Sequence, residues 1–384
     1  MRIGIVTETY PPEINGVALT VQGFAEGLAA CGHQIEVIRP RQRVEDGVDR
    51  VPSLLVRGAA LPRYPGLRFG LPAGNRLLRH WREQRPDAIY IATEGPLGLS
   101  ALNAARRLDI PVATGFHTRF DDYAAHYGLG ILTPLVLSHL RRFHRRSAAT
   151  LVPTKALHDE LLALGVTNAK LLRRAVDTRL FQPACRDPAL RAAWRAHVDA
   201  PVVLYVGRIA AEKNLDLAIC AFAALQARAP AARYVWVGDG PLRTELAAAR
   251  PDFVFAGIQH GEALARHYAS ADLFLFPSLI ETFGNVTLEA MASGLAVVAF
   301  NHGAAREHVV DGINGRSIDT SDSAGFIAAA LDLALDPTSR ARLGYNARAS
   351  VAALSPESVI AEFEALLQTL ADESLHGAVA AASA

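Results

Sequence analysis

Short apolar runs alternate with stretches of helical periodicity along most of the chain. Residues 3–6, 33–38, 88–93, 111–115, 150–153 and 170–173 are rich in Ile, Val, Leu and Ala, the pattern of strands covered on both faces. Helical spacing fills the gaps, as at 16–31 and 155–164, so the chain opens with a βαβ unit. The alternation resumes at 202–206, 233–237, 253–257, 272–276 and 295–300, and a second parallel sheet is expected there. Residues 135–146, LVLSHLRRFHRR, read as an amphipathic helix. The last helical pattern, 356–371, aligns Val359, Ile360, Phe363, Leu366 and Leu367 on one face; the small residues after 373 are expected to form an unordered tail.

Open parallel sheets bind ligands beyond the carboxyl ends of their strands, so the residues after each run carry the candidate chemistry. The first run leads through Pro11-Pro12 to Asn15-Gly16, where a glycine at a helix start allows close backbone approach to a ligand. The run 111–115 delivers Phe116, His117, Thr118 and Arg119; a histidine at that place can bond a ligand hydroxyl and is a side-chain type that responds to pH near neutrality. Residues 202–206 lead to Gly207-Arg208 and a loop ending at Lys213, placing two cations at the mouth of a strand–loop–helix, where they suit an anionic group. Gly238-Asp239-Gly240-Pro241 closes the next run, and Ile258-Gln259 follows the one after. Beyond 272–276 come Glu281, Thr282, Phe283, Gly284 and Asn285, then a helix from about Val286 with Glu289 in its first turns. Asn301-His302-Gly303 turns into a further helix start at Ala304, so two carboxylates and two helix N-termini meet at neighbouring strands.

At 384 residues the chain exceeds what a single core usually supports, and two domains are expected. A composition 51% hydrophobic and 20% charged excludes a disordered or fibrous protein. The net charge of +1 hides an asymmetry: 23 Lys and Arg face 15 Asp and Glu up to Arg174, and 16 face 23 beyond it. Arg141, Arg142, Arg145 and Arg146, with Arg76, Arg79 and Arg82, fit either an anionic lipid surface or an ordinary solvated helix face. They lack the stacking aromatics of a nucleic-acid module, so no nucleic-acid partner is expected. Cys31, Cys185 and Cys220 are too scattered for a disulfide framework or a zinc site. With no signal-peptide pattern and no apolar run near membrane-spanning length, the chain is expected in the cytoplasm, at most peripheral on the inner face of the cytoplasmic membrane.

Residues 277–316 as a whole resemble the Glu-x7-Glu segment of the retaining glycosyltransferases of family 4. The match includes Pro277-Ser278 before Glu281 and Met291-Ala292-Ser293-Gly294 after Glu289. Nearly the whole chain takes part. Residues 11–16 are similar to the family's Pro-Pro-x-x-Gly-Gly loop, with Asn15 in place of the first glycine, and residues 115–130 resemble its His-Thr segment. Arg174-Ala175-Val176-Asp177 departs from the usual Asn-Gly-Val-Asp at the crossing between domains.

The resemblance implies an α/β protein of the GT-B fold, two Rossmann-like βαβ domains with parallel sheets facing across a cleft. Residues 1–176 would bind the acceptor and 177–355 the nucleotide sugar; the helix 356–373 would return to the first domain, and 374–384 would be the tail. It further implies that Glu281 contacts donor-sugar hydroxyls and that Glu289 holds the ribose diol. Backbone at Phe283, Gly284, Asn285 and Val286 would meet sugar and phosphate, Arg208 and Lys213 the diphosphate. Gly16 and Gly238 would bring backbone close to the donor, with Ile258 at the base. His117, Arg208, Lys213 and Glu281 form the expected catalytic set, with Asn15, Arg119, Asp121 and Tyr123 facing the acceptor. No metal or other cofactor is expected, because the two cations and the helix ends supply the leaving-group charge. Glu281 positions rather than attacks, and a donor phosphate oxygen draws the acceptor proton. Within the family the pattern looks most like bacterial GDP-mannose-dependent α-mannosyltransferases acting on lipid or glycan acceptors. A UDP-sugar-dependent glycolipid synthase is the alternative, and a sugar-nucleotide epimerase of the same architecture is the alternative of another class.

Overall fold

In the computed structural model, residues 1–13, 15–42, 50–60, 68–117, 133–281 and 283–382 are described. The first half begins β1 (Arg2–Val6), α1 (Gly16–Ala30), β2 (Gln34–Pro40) and β3 (Ser53–Val56). A small antiparallel pair, β4 (Gly58–Ala60) and β5 (Arg68–Gly70), precedes α2 (Gly74–Glu83), β6 (Ala88–Ile91) and α3 (Pro96–Arg107). Then come β7 (Val112–Gly115), α4 (Thr133–His144), β8 (Ala149–Val152), α5 (Lys155–Ala163) and β9 (Ala169–Leu171). Seven of these strands form one parallel sheet in the order β3-β2-β1-β6-β7-β8-β9. Its central strands are shut off from water on both faces, as Ile3, Ile5, Ile89 and Ile91 show, which is why they read as apolar runs rather than alternating ones.

The second half carries α6 (Pro188–Ala193), β10 (Val202–Val206), α7 (Leu215–Arg228), β11 (Arg233–Val237), α8 (Arg243–Ala249) and β12 (Val254–Gly257). It continues with α9 (Gly261–Ser270), β13 (Leu273–Phe276), α10 (Asn285–Ala292), β14 (Ala296–Phe300) and α11 (Gly303–His308). It closes with β15 (Arg316–Ile318), α12 (Ser323–Leu335) and α13 (Pro337–Val351). The parallel order is β12-β11-β10-β13-β14-β15. Asp272, just before β13, ties the edge of this unit together: its carboxylate accepts from the Val202 backbone N–H at 2.9 Å, from Arg191 at 3.0 Å and from Arg186 at 2.9 Å.

The units divide as Met1–Arg173 with Pro356–Ala384, and Arg174–Ser355. The last helix, α14 (Pro356–Ala382), therefore belongs to the first unit. Phe363 is fully buried with its ring centroid 4.7 Å from Phe24 on α1 and 5.0 Å from Tyr90 on β6, and Glu364 accepts from His33 at 2.8 Å. The helix runs to Ala382, past the point at which an unordered tail was expected, because the terminal Ala-rich stretch contains strong helix formers and no proline. Among the described residues no helix is long and apolar enough to cross a membrane.

Each sheet reverses its strand order once, between β1 and β6 in the first unit and between β10 and β13 in the second. Neighbouring loops diverge at such a point and leave a crevice at the carboxyl ends.

Candidate active site

In the second unit the candidate residues follow the carboxyl ends of five strands. After β10 the chain passes through Gly207 and Arg208, whose carbonyl accepts from the buried Tyr205 phenol at 2.9 Å. The Arg208 guanidinium pairs with Glu212, a carboxylate that is almost wholly buried. A 3-10 turn over Ala211–Lys213 and a left-handed Asn214 (φ 54°) then start α7. The turn after β11 presses on this loop: Gly238 has φ 133°, and a Cβ there would lie 2.0 Å from the Gly207 carbonyl oxygen. Only glycine fits that approach.

Lys213 Nζ meets Glu281 Oε1 at 2.5 Å, and both side chains are largely buried. The contact joins the loop after β10 to the loop after β13, across the reversal of strand order. The backbone N–H of Glu281 donates to His302 Nε2 at 3.3 Å, which links it to the turn before α11. Phe283 is buried, and its carbonyl accepts from the Ala304 N–H at 2.6 Å. Gly284, at φ 91°, begins α10, and among the described residues no side chain caps that helix, α7 or α11. The open N–H groups at Asn285 and Val286 are thus suited to anionic or hydroxyl oxygens.

Glu289 sits one turn into α10, where Tyr268 of α9 donates to its Oε2 at 2.8 Å. Burial pushes its carboxyl up to about 7, against the opposing pull of the Tyr268 bond. Ile258, after β12, exposes 52% of its surface, an apolar face in the place expected for a base. Gln259 beside it bonds back to the Ala256 carbonyl at 2.7 Å. Arg208, Lys213, Gly238, Ile258, Glu281, Phe283, Gly284, Asn285, Val286 and Glu289 thus share one end of one sheet, with Lys213 and Glu281 in direct contact. Among the described residues no three His, Cys, Asp or Glu side chains gather as metal ligands would.

Gly16, Asn15 and His117 belong to the first unit. Gly16 starts α1 and is exposed. Asn15 is the cap of that helix: Oδ1 accepts from the N–H groups of Val17 (3.1 Å) and Ala18 (2.9 Å), and Nδ2 donates to Thr9 at 2.6 Å. Its polar atoms are therefore engaged locally. His117, just past β7, is buried, with Nε2 at 2.5 Å from the Tyr90 hydroxyl. A Cβ on Gly115 would lie 2.2 Å from that hydroxyl, so the glycine makes room for the pair. Arg119, Asp121 and Tyr123 lie outside the described residues.

Several buried polar groups here carried no sequence signal. Glu8, at the first unit's own reversal, accepts from the Leu97 N–H at the start of α3 at 3.0 Å, and burial pushes it up to about 7. His144 lies between Glu94 (3.2 Å) and Thr114 (3.0 Å), fully buried. Glu212 and Tyr268 are the corresponding omissions in the second unit. Each sits in a helical or turn segment whose local pattern is ordinary, and only the partner reveals it.

The chain is similar to known proteins in sequence and in fold. A family described as "Glycosyl transferases group 1" covers residues 200–336, and one described as "Glycosyltransferase Family 4" covers residues 14–180. The chain is 36% identical to a GDP-mannose-dependent alpha-mannosyltransferase of Mycobacterium tuberculosis, over 80% of this chain and 81% of that protein. It is 34% identical to a protein of the same description from Mycolicibacterium smegmatis, over 96% of this chain and 98% of that one. The sulfoquinovosyl transferase SQD2 of Arabidopsis thaliana is 30% identical over 82% of this chain and 62% of its own length. Among solved structures, Anabaena HepE in complex with UDP superposes with a TM-score of 0.76 at 19% identity, covering 96% of this chain and all of that one.

Proposed function

This chain belongs to the group 1 glycosyltransferases of family 4, and from that membership we propose that it transfers mannose from GDP-mannose to a lipid or glycan acceptor, retaining the α configuration and needing no metal ion. That it is a hexosyltransferase of the GT-B fold follows from the family and its solved relatives; the donor, stereochemistry and metal independence are our reading. The relatives' descriptions support the donor.

The observation that carries the chemistry is the Lys213–Glu281 contact at the reversal of strand order. In the proposed reaction Lys213 and Arg208 turn to the diphosphate, and the uncapped starts of α10 and α11 add their dipoles. Glu281, released from Lys213, accepts from donor-sugar hydroxyls, and Glu289 accepts from the ribose diol. The bond from the anomeric carbon to the phosphate oxygen breaks as the acceptor oxygen bonds that carbon on the same face. The acceptor proton passes to the phosphate oxygen, and GDP leaves with its charge held by the two cations. His117, held by Tyr90, would orient a sugar hydroxyl; Gly16 would bring backbone near the donor, and Asn15, Arg119, Asp121 and Tyr123 remain acceptor-side candidates.

A second reading has a specific basis. The likeness to the sulfoquinovosyl transferase and to an alpha-monoglucosyldiacylglycerol synthase of Acholeplasma laidlawii favours a sugar other than mannose and a glycolipid product, for which we take a UDP-sugar as the donor. Calorimetric titration with GDP, UDP and ADP in the presence of EDTA separates the two. Selective GDP binding, followed by mannosyl transfer with retained configuration, is the expected result. Selective UDP binding moves the function to the second reading, a metal requirement removes the metal-free mechanism, and an isomerised sugar nucleotide without transfer identifies an epimerase.

A further inference from the structure

We propose that Tyr268 is a positioning residue for donor recognition: its phenol holds one oxygen of the Glu289 carboxylate and thereby presents the ionised group to a vicinal diol of the donor. The inference rests on the reading that Glu289 meets that diol.

Tyr268 is fully buried on α9, with its ring edge-on to Phe181 (5.7 Å, 87°) and tilted against Phe274 at 6.0 Å. The ring is thus fixed by packing, and its hydroxyl has two acceptors within reach: Glu289 Oε2 at 2.8 Å and, at a longer 3.4 Å, the Val286 carbonyl. A phenol donating to a carboxylate makes the stronger, charge-assisted bond. Burial, reinforced by the neighbouring carboxylate, pushes the phenol well above its ordinary value, so it remains a donor across the working pH range.

Glu289 itself is balanced between two effects. Desolvation favours the neutral acid, and the Tyr268 bond favours the carboxylate. Among the described residues, burial and the Tyr268 bond are the influences that set Glu289, and the other elements packed on α10 bring no competing charge to it. Arg348 of α13 donates to the carbonyls of Thr178, Phe181 and Ala292, His308 of α11 stands edge-on to Phe283, and Arg306 lies on α11 beside it. None of these contributes to the position of Glu289, and β14, Ala296–Phe300, carries no titratable side chain. Both hydroxyls of a diol can donate to a carboxylate, whereas a neutral acid must spend one oxygen as a donor. Loss of the phenol would therefore weaken donor binding most at neutral pH and least at alkaline pH, where Glu289 ionises regardless.

The test is calorimetric titration of the full chain with GDP between pH 6 and pH 9. Wild type is expected to lose affinity as pH falls through about 7. Tyr268→Phe is expected to match wild type near pH 9, to bind about fivefold more weakly near pH 7, and to shift its midpoint upward by about one pH unit. A fluorinated tyrosine placed at position 268, a stronger donor that keeps the ring, is expected to move the midpoint downward. Profiles that superimpose for all three proteins, or a loss in Tyr268→Phe that is equal at every pH, would overturn the inference and leave Tyr268 a core residue. Glu289→Gln serves as the control for the underlying reading. If it binds GDP as tightly as wild type, the placement of the donor fails and this inference with it; if it is weakened while Tyr268→Phe follows wild type, the inference alone fails.

Discussion

Lys213 and Glu281 neutralise each other, with 13% and 14% of their side chains accessible. A buried pair of this kind adds little net stability, because desolvation cancels most of the attraction, but it holds both groups ready. Lys213→Met removes the cation while keeping the length of the stem. Its expected effect is a ten- to hundredfold loss of nucleoside diphosphate affinity, about 1.4–2.8 kcal/mol, with a much smaller loss for the nucleoside alone. Equal losses for both ligands would show that Lys213 does not meet the diphosphate. Glu8 and Glu289 make a different prediction. Both carboxyls rise from 4.5 to about 7 on folding, so the native state binds the extra protons between those values. Stability from each is therefore full below pH 4.5 and is lost as pH rises through 7. Glu289→Gln should gain on wild type across that window, by an amount on the order of 3 kcal/mol, when denaturant unfolding is compared at pH 4.5 and pH 8. The comparison of the two proteins cancels the opposite slope from His267, which burial pulls below 6.5.

Among the elements, α4 was legible as amphipathic from its sequence, and its arginines are exposed at Arg141, Arg142 and Arg145 together with Leu135. We expect this face to bind anionic membranes. Replacing the three arginines by Gln should release the protein from phosphatidylglycerol vesicles in a sedimentation assay and leave nucleotide affinity unchanged. Retention at physiological salt would assign the arginines to an ordinary solvated face. The strands and most helix starts were equally legible, because runs covered on both faces and Asn, Thr or Gly at helix starts are local signals. Asn15 shows the limit of such signals. Asn-Gly at a helix start pointed to a ligand loop, and the structure adds a cap whose side-chain oxygen is committed to two backbone N–H groups.

On the scale of the whole molecule, the chain enters its second unit at Arg174 and returns to the first at Pro356. Phe363→Ala removes a fully buried ring packed on Phe24 and Tyr90, and we expect it to cost about 3–5 kcal/mol in the first unit. Nucleotide binding should persist at temperatures below the unfolding transition, since every donor candidate except Gly16 lies in the other unit; a loss of GDP affinity before any unfolding would contradict that separation. The sequence by itself determined the two α/β sheets, the strand ends that carry Arg208 and Glu281, the helix that carries Glu289, and the glycines at Gly238 and Gly284, because these depend on local periodicity and backbone freedom. It also determined the family, since a motif is a contiguous stretch. Only the tertiary structure decided which side chains touch. Lys213 and Glu281 are 68 positions apart, and Tyr268 and Glu289 are 21 apart on different helices. Their meeting depends on the order of strands in the sheet, which no local pattern encodes. Burial, which sets the charge of Glu8 and Glu289, likewise arises only when the surrounding elements have packed.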